Sequence, residues 1–282
     1  MQANLLALGA IALWAGLAAL GTQLAHIPPF LLTGLALVIG SVPAWPLVRH
    51  WRVPASTLAL GVCGLFGYHF LLFIALRSAP AVEANLVNYL WPLLIVVLAP
   101  VLLPGMHLRG THVVGALLGF AGAAVAILGA RDANSAAGWS WGYLPALGAA
   151  VMWSTYSLLT RRVAAFPTAA IGLFGLVSGL LSLACHVALE PAAQLGTRDW
   201  LLLTVMGLGP LGAAFFLWDA ALKRGDPRQL GVLSYITPLA STALLLAVTG
   251  RGVSASIGLA TALIVGGAVL GTRQREPVTT AA

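Results

Sequence analysis

Apolar residues gather into ten runs, near residues 4–22, 30–48, 57–76, 82–103, 111–129, 142–160, 168–188, 200–219, 229–249 and 255–272. Each approaches or reaches the roughly 20 apolar residues that carry a helix across a bilayer. The short stretches between them hold the charges and many of the turn-forming residues. A chain that crosses hydrocarbon must satisfy every backbone group internally, so the pattern predicts an all-α polytopic membrane protein of ten transmembrane helices.

One run breaks its own pattern. Between Ala84 and Leu93 stand two amides (Asn85, Asn88), a phenol (Tyr89), an indole (Trp91) and a helix-breaking proline (Pro92). Helical spacing brings Asn85, Asn88, Tyr89 and Pro92 to one side of the helix or its edge. Pro92 has no N–H, so the Asn88 carbonyl loses its usual partner four residues on. One such residue is explained by ordinary helix–helix hydrogen bonding, worth about 0.6 kcal/mol on average. Four within eight positions are more than that needs, and they point to a cavity wall.

Composition fits the same class: 60% hydrophobic, 7% charged, mean hydropathy +0.97. The net charge of +7 invites a nucleic-acid reading, but the basic residues lie in loops, at span ends or in the C-terminal tail. With a cytoplasmic N-terminus, ten fall inside (Arg49, Arg52, Arg109, Arg161, Arg162, Lys223, Arg224, Arg228, Arg273, Arg275) and four outside (Arg77, Arg131, Arg198, Arg251). That is the positive-inside bias, with both termini cytoplasmic and no nucleic-acid partner. No Lys or Arg precedes the first run, which is read as a permanent span and not a signal peptide. Cys63 and Cys185 lie in apolar runs and are expected to behave as small buried hydrophobes, neither disulfide nor metal ligands.

The chain repeats itself. Leu8–Trp14 reads LGAIALW and Leu147–Trp153 reads LGAAVMW, 139 residues later; Tyr89-Leu90-Trp91-Pro92-Leu93 is matched by Tyr235-Ile236-Thr237-Pro238-Leu239, 146 residues later. Phe70, Ala75, Leu76 and Arg77 likewise stand opposite Phe216, Ala221, Leu222 and Lys223. Two five-span halves, residues 1–138 and 139–282, follow. Because five is odd, the second half enters the membrane from the other side, an inverted repeat with its substrate site expected between the halves at the midplane. Pro92 and Pro238 are the expected kinks or gating points. The many in-span glycines, among them Gly115, Gly119, Gly122, Gly258, Gly266 and Gly267, are read as close-packing positions. Trp45, Trp51, Trp139, Trp141 and Trp200 belong at span ends as an interfacial belt, whereas Trp14, Trp91 and Trp153 fall mid-span, where a belt role is closed to them.

The ten spans, the Trp in the first helix of each half, the Gly-rich fifth and tenth spans and the Asn88–Pro92 motif together resemble the drug/metabolite transporter superfamily in its EamA branch. Asn88-Tyr89-Leu90-Trp91-Pro92 is similar to the span-4 motif of YddG-type aromatic amino acid exporters. The resemblance implies a bacterial inner-membrane exporter of aromatic and other neutral amino acids. The second half has Ser234 and Thr237 where the first has Asn88 and Trp91, so an asymmetric site is expected.

The candidate site comprises Trp14, Tyr68, His69, Asn85, Asn88, Tyr89, Trp91, Trp153, Tyr156, Ser157 and Tyr235, with Ser154 nearby. Rings attract an ammonium by about 0.5–2 kcal/mol and an aromatic side chain by about 0.5–1.5 kcal/mol; amides and hydroxyls serve the carboxylate. His69 is read as a neutral, hydrogen-bonded ring, with proton relay as the alternative. Glu83 and Asp219 sit near span ends, which argues against a cation/proton antiporter and for facilitated efflux by alternating access. Peripheral basic residues argue against phosphorylated substrates. Other amphipathic metabolites or drugs remain an alternative substrate class. A non-transporting lipid-binding protein leaves the mid-span polar cluster without a role. An intramembrane enzyme would need a nucleophile with a base or metal-ligand spacing, and neither is present, so no catalytic residue, cofactor or metal is assigned. Monomer and homodimer fit equally.

Overall fold

A computed structural model describes residues 1–128, 139–249 and 255–272. Among these the regular structure is helical. The helices are α1 Gln2–Gln23, α2 Pro29–His50, α3 Ala55–Ser78, α4 Ala81–Leu102, α5 Gly110–Leu128, α6 Tyr143–Leu159, α7 Thr168–Leu189, α8 Thr197–Arg224, α9 Pro227–Ser234, α10 Ile236–Thr249 and α11 Ala255–Thr272. Eight of them are long and apolar enough to cross a membrane. The sixth expected span forms a helix of 17 residues, and the ninth is divided into α9 and α10 at Tyr235. Large apolar side chains such as Leu5, Val101, Leu144, Val187 and Leu201 are exposed, as lipid-facing positions should be.

Proline sets several boundaries. Pro29 opens α2 and Pro227 opens α9, where a missing N–H is no loss. The chain leaves α4 through Gly105, whose φ of +79° is a left-handed conformation that glycine adopts without strain. Within the helices, glycine sets the approach distance. A methyl group on Gly40 would lie 2.6 Å from the Gly207 carbonyl, locking α2 to α8, and one on Gly115 would lie 2.8 Å from the Gly267 carbonyl, locking α5 to α11. Gly34 and Gly179 do the same for α2 and α7. Two glycines depart from the close-packing expectation: Gly258 and Gly266 face open space. Cys63 departs from its expectation too, being exposed on α3, while Cys185 is half-buried; a thiol is apolar enough to face outward among lipid-facing side chains.

α1 lies along α8, and α6 lies along α3. α3 and α8 each widen into a π-helical stretch, Cys63–Gly67 and Gly209–Ala213, 146 residues apart. Such stretches release carbonyls from the regular ladder, and here they face α6 and α1. The widened turn at Gly64 admits Tyr156 of α6, whose ring a methyl there would meet at 2.3 Å. At the corresponding place the Pro210 carbonyl accepts the Trp14 indole N–H of α1 at 3.1 Å.

Ion pairs bind the helix ends on both faces. On one, the Glu190 carboxylate, its side chain fully buried, accepts the backbone N–H groups of Phe30 and Leu31, pairs with Arg77 at 2.8 Å and meets His186 Nδ1 at 3.1 Å. It thereby caps α2, which has no cap of its own, and ties it to α3 and α7. On the other face, Lys223 donates to Asp219 at 2.6 Å and to the Phe166 carbonyl at 2.9 Å, while Thr168 donates to the same Asp219 oxygen at 2.6 Å.

Candidate substrate site

The interior is organised around four indoles drawn from four helices. Trp14 of α1 stands 6.5 Å from Trp91 of α4, 5.9 Å from Trp153 of α6 and 5.5 Å from Trp218 of α8, measured between ring centroids. Trp91 also meets Trp153 at 6.3 Å and Trp218 at 5.8 Å, both with planes near perpendicular. Edge-to-face geometry of this kind places the positive rim of one ring against the negative face of the next. Phe215, Tyr156, Tyr68 and His69 extend the group: Trp153 touches Tyr156 at 5.3 Å, Tyr68 at 5.4 Å and Phe215 at 5.7 Å, and His69 lies 5.0 Å from Tyr68.

The polar groups sit where α4 is interrupted. Its helix ends at Asn88, four residues before Pro92, and resumes at Trp91, the residue just before it. The Asn88 side-chain N–H donates to the Tyr68 hydroxyl at 3.1 Å, and its Oδ1 is buried with no partner in the protein. A buried amide oxygen of this kind is an acceptor in waiting. Tyr89, next along the chain, is half-buried at the break, its N–H donating to the Asn85 carbonyl at 2.9 Å. Ser157 accepts the Trp218 indole N–H at 3.2 Å, and Ser154 is turned to its own helix, donating to the Val151 carbonyl. His69 Nδ1–H donates to the Leu65 carbonyl of the π-helical stretch at 2.6 Å, the bonded ring expected from sequence.

Of the residues expected to line a site, Trp14, Tyr68, His69, Asn88, Tyr89, Trp91, Trp153, Tyr156 and Ser157 are thus brought into one group. Two of the expected lining residues, Asn85 and Tyr235, stand apart from it. Asn85 is half-buried one turn earlier on α4, where its backbone accepts the Tyr89 N–H. Tyr235 is fully buried against α5, its ring on Gly119 and 6.4 Å from Phe120. Its hydroxyl accepts the Leu93 N–H at 3.1 Å, a donor left over by the break in α4. Pro238 follows the break at Tyr235 as Pro92 follows that at Tyr89, and its carbonyl accepts the Thr242 hydroxyl.

Trp218 and Phe215 were missed by the sequence reading. The apolar run ends at residue 219, which puts Trp218 at the membrane edge, but the helix continues to Arg224 and carries Trp218 inward. The available signal was helical spacing: Phe215, Trp218 and Leu222 share one face of α8. Among the described residues no group of three His, Cys, Asp or Glu side chains could hold a metal.

The family model of the EamA-like transporter family matches the chain twice, over residues 1–128 and 140–273. The aromatic amino acid exporter YddG of Ancylobacter novellus is 45% identical over 280 residues, 96% of this chain and 97% of that protein. The protein of the same name from Escherichia coli K12 is 26% identical, covering 95% of this chain and 96% of its own length. A solved structure, described only as a crystal structure of protein, superposes with a TM-score of 0.88 at 43% identity, covering 96% of this chain and 97% of its own.

Proposed function

Since the chain belongs to the EamA-like transporter family, a family of membrane transport proteins, we propose that it exports aromatic and other neutral amino acids across the bacterial inner membrane. The observation that carries this reading is the box of four indoles with an unpartnered amide acceptor, Asn88 Oδ1, at a helix break beside it. The rings touch one another here, so the aromatic side chain of a substrate packs on them once alternating access parts them, making offset and edge contacts of the same kind. Its ammonium finds Asn88 Oδ1, the carbonyl freed by Pro92 and the indole faces; its carboxylate finds the hydroxyls of Tyr68, Tyr89 and Ser157. The names of the two curated relatives point to the same substrate class.

The architecture proposed for this task is ten spans in two inverted halves, residues 1–138 and 139–282, with both termini cytoplasmic. The double family match, the two π-helical stretches and the two breaks before proline support it. Transport is by alternating access and is facilitated, driven by the substrate gradient. The two broken helices supply the asymmetry such a cycle requires. The second half of α4 packs on α9, with a methyl on Gly231 only 2.9 Å from the Pro92 carbonyl. The first half of α4 packs on α3, α5 and α6, and α10 on α1, α5 and α11, with no comparable contact between the two among the described residues. The cytoplasmic face is therefore the closed one here.

Counterflow of labelled tryptophan and phenylalanine in proteoliposomes tests the reading. Wild type gives saturable flux, and Trp91→Ala and Asn88→Ala each reduce it; folded protein that gives no flux above empty liposomes refutes the substrate class.

A further inference from the structure

The closed face holds a group of charges that the site does not use. Arg228, at the start of α9, is buried although it is a guanidinium. Its Nε and Nη2 grip the Asp226 carboxylate at 3.0 and 2.6 Å, its backbone N–H meets the same carboxylate at 2.9 Å, and its Nη1 donates to the backbone carbonyl of His107. His107 lies in the loop that follows α4, so this one side chain fastens α9 of the second half to α4 of the first. The Gly231–Pro92 approach lies directly above it in the chain, one turn further into α9. Arg228 is thus the clasp on the α4–α9 contact that closes this face.

Beside the clasp is His112, in the first turn of α5. Its residue surface is 1% exposed, and neither ring nitrogen has a partner in the protein. The charged groups on the elements around it are Arg228 and Asp226 at the start of α9, which packs on α5, and Arg109, whose carbonyl accepts the His112 N–H at 3.0 Å. His107 is the other titratable group of that loop. α10 and α11, which also pack on α5, bring no charged residue among the described ones, and α4 brings only Glu83, at its opposite end. A neutral imidazole is tolerable in such a place. An imidazolium there has neither water nor an acceptor, and it stands near two guanidinium groups while the one carboxylate within reach is already taken by Arg228.

We propose that His112 and the Arg228–Asp226 clasp form a proton-sensitive gate on this face: protonation of His112 weakens the hold of Arg228 on the His107 carbonyl and lets α4 and α9 part. The charged ring either draws Asp226 away from Arg228 or repels Arg228 itself, and both loosen the same contact. Opening exposes the imidazolium to water, so by linkage acid on this side shifts the population toward the open form. The proposal rests on the transport reading above, because a gate presupposes two access states.

The test is a distance measurement between spin labels at Leu108→Cys and Gln229→Cys, on either side of the clasp, in a Cys63→Ser/Cys185→Ser background in nanodiscs. It is made at about pH 8 and about pH 4.5, well clear of an ordinary imidazole on both sides. The expected result is one short distance at the higher pH and a second, longer population at the lower. His112→Gln abolishes the longer population at both pH values, and Arg228→Gln shows it at both. A wild-type distribution that does not change with pH overturns the proposal, as does a pH response that survives in His112→Gln. The wild-type comparison needs no substitution in the gate, so a misfolded variant does not remove the test. Tryptophan flux measured in parallel separates the two readings: a responsive gate without flux sinks the transporter, and flux with a pH-insensitive distance sinks the gate.

Discussion

Tyr235→Phe separates scaffold from site. The hydroxyl accepts the Leu93 N–H at 3.1 Å, and Leu93 lies in the first turn after the break in α4, where the helix cannot supply an acceptor as it would mid-span. Removing one oxygen leaves the ring and its packing on Gly119 and Phe120 intact, so the effect isolates the hydrogen bond. Losing such a bond is worth about 0.5–1.5 kcal/mol, and leaving its buried donor unpaired raises that to about 1–3 kcal/mol. Interhelical bonds within membranes average about 0.6 kcal/mol and reach about 1.7 kcal/mol, because the freed group finds other partners. The expected loss is therefore about 1–2 kcal/mol, measured by equilibrium unfolding in mixed micelles with increasing SDS. Substrate KM in proteoliposomes should stay within about twofold of wild type, roughly 0.4 kcal/mol. An unchanged stability combined with a large rise in KM would refute the reasoning and return the Tyr235 phenol to the substrate.

Three further outcomes follow from contacts elsewhere. Glu190→Gln breaks the pair with Arg77 and weakens the cap on α2; Arg77 is 48% exposed, so solvent screening holds the expected loss to about 1–3 kcal/mol, below that of a fully buried pair, by the same unfolding assay. Gly40→Ala destabilises by about 1–3 kcal/mol because the new methyl meets backbone that cannot give way, whereas Gly258→Ala, in open space on α11, is neutral or stabilising. Burial pushes the Asp226 carboxyl up, but the hydrogen bonds and charge of Arg228 outweigh it and hold it below the usual carboxylate range. Its contribution is thus fully present above about pH 3.9 and is lost as pH falls through its lower folded value, so a stability gap between wild type and Asp226→Asn should be constant at neutral pH and close only in strong acid.

Much of this was legible in the chain itself, and the gaps have physical causes. The mid-span indoles Trp14, Trp91 and Trp153 were recognisable because a ring far from the interface needs an interior reason to be there, and they do meet. Pro92 announced the break in α4, since a missing N–H leaves the same mark in any helix. Tyr235 looked like a site residue because its motif repeats that of Tyr89, yet repeated sequence does not repeat surroundings: Gly119 opens a slot on α5 that takes the ring away from the indoles. Trp218 was hidden by a helix that runs five residues past its apolar run, its last turn made affordable by the pairing of Lys223 with Asp219 and the Phe166 carbonyl. Gly258 and Gly266 look like Gly115 and Gly267 in sequence, and only the rotation of α11 against α5 tells them apart.

The central claim is that an amino acid side chain packs against the cluster formed by Trp14, Trp91, Trp153 and Trp218. A crystal of the protein grown with para-bromophenylalanine, measured at the bromine edge, tests it most directly. The account predicts one anomalous peak in contact with those indoles, with the ammonium end of the molecule toward Asn88. A peak on the lipid-facing surface, or none at saturating concentration in crystals whose protein still transports phenylalanine, would contradict it.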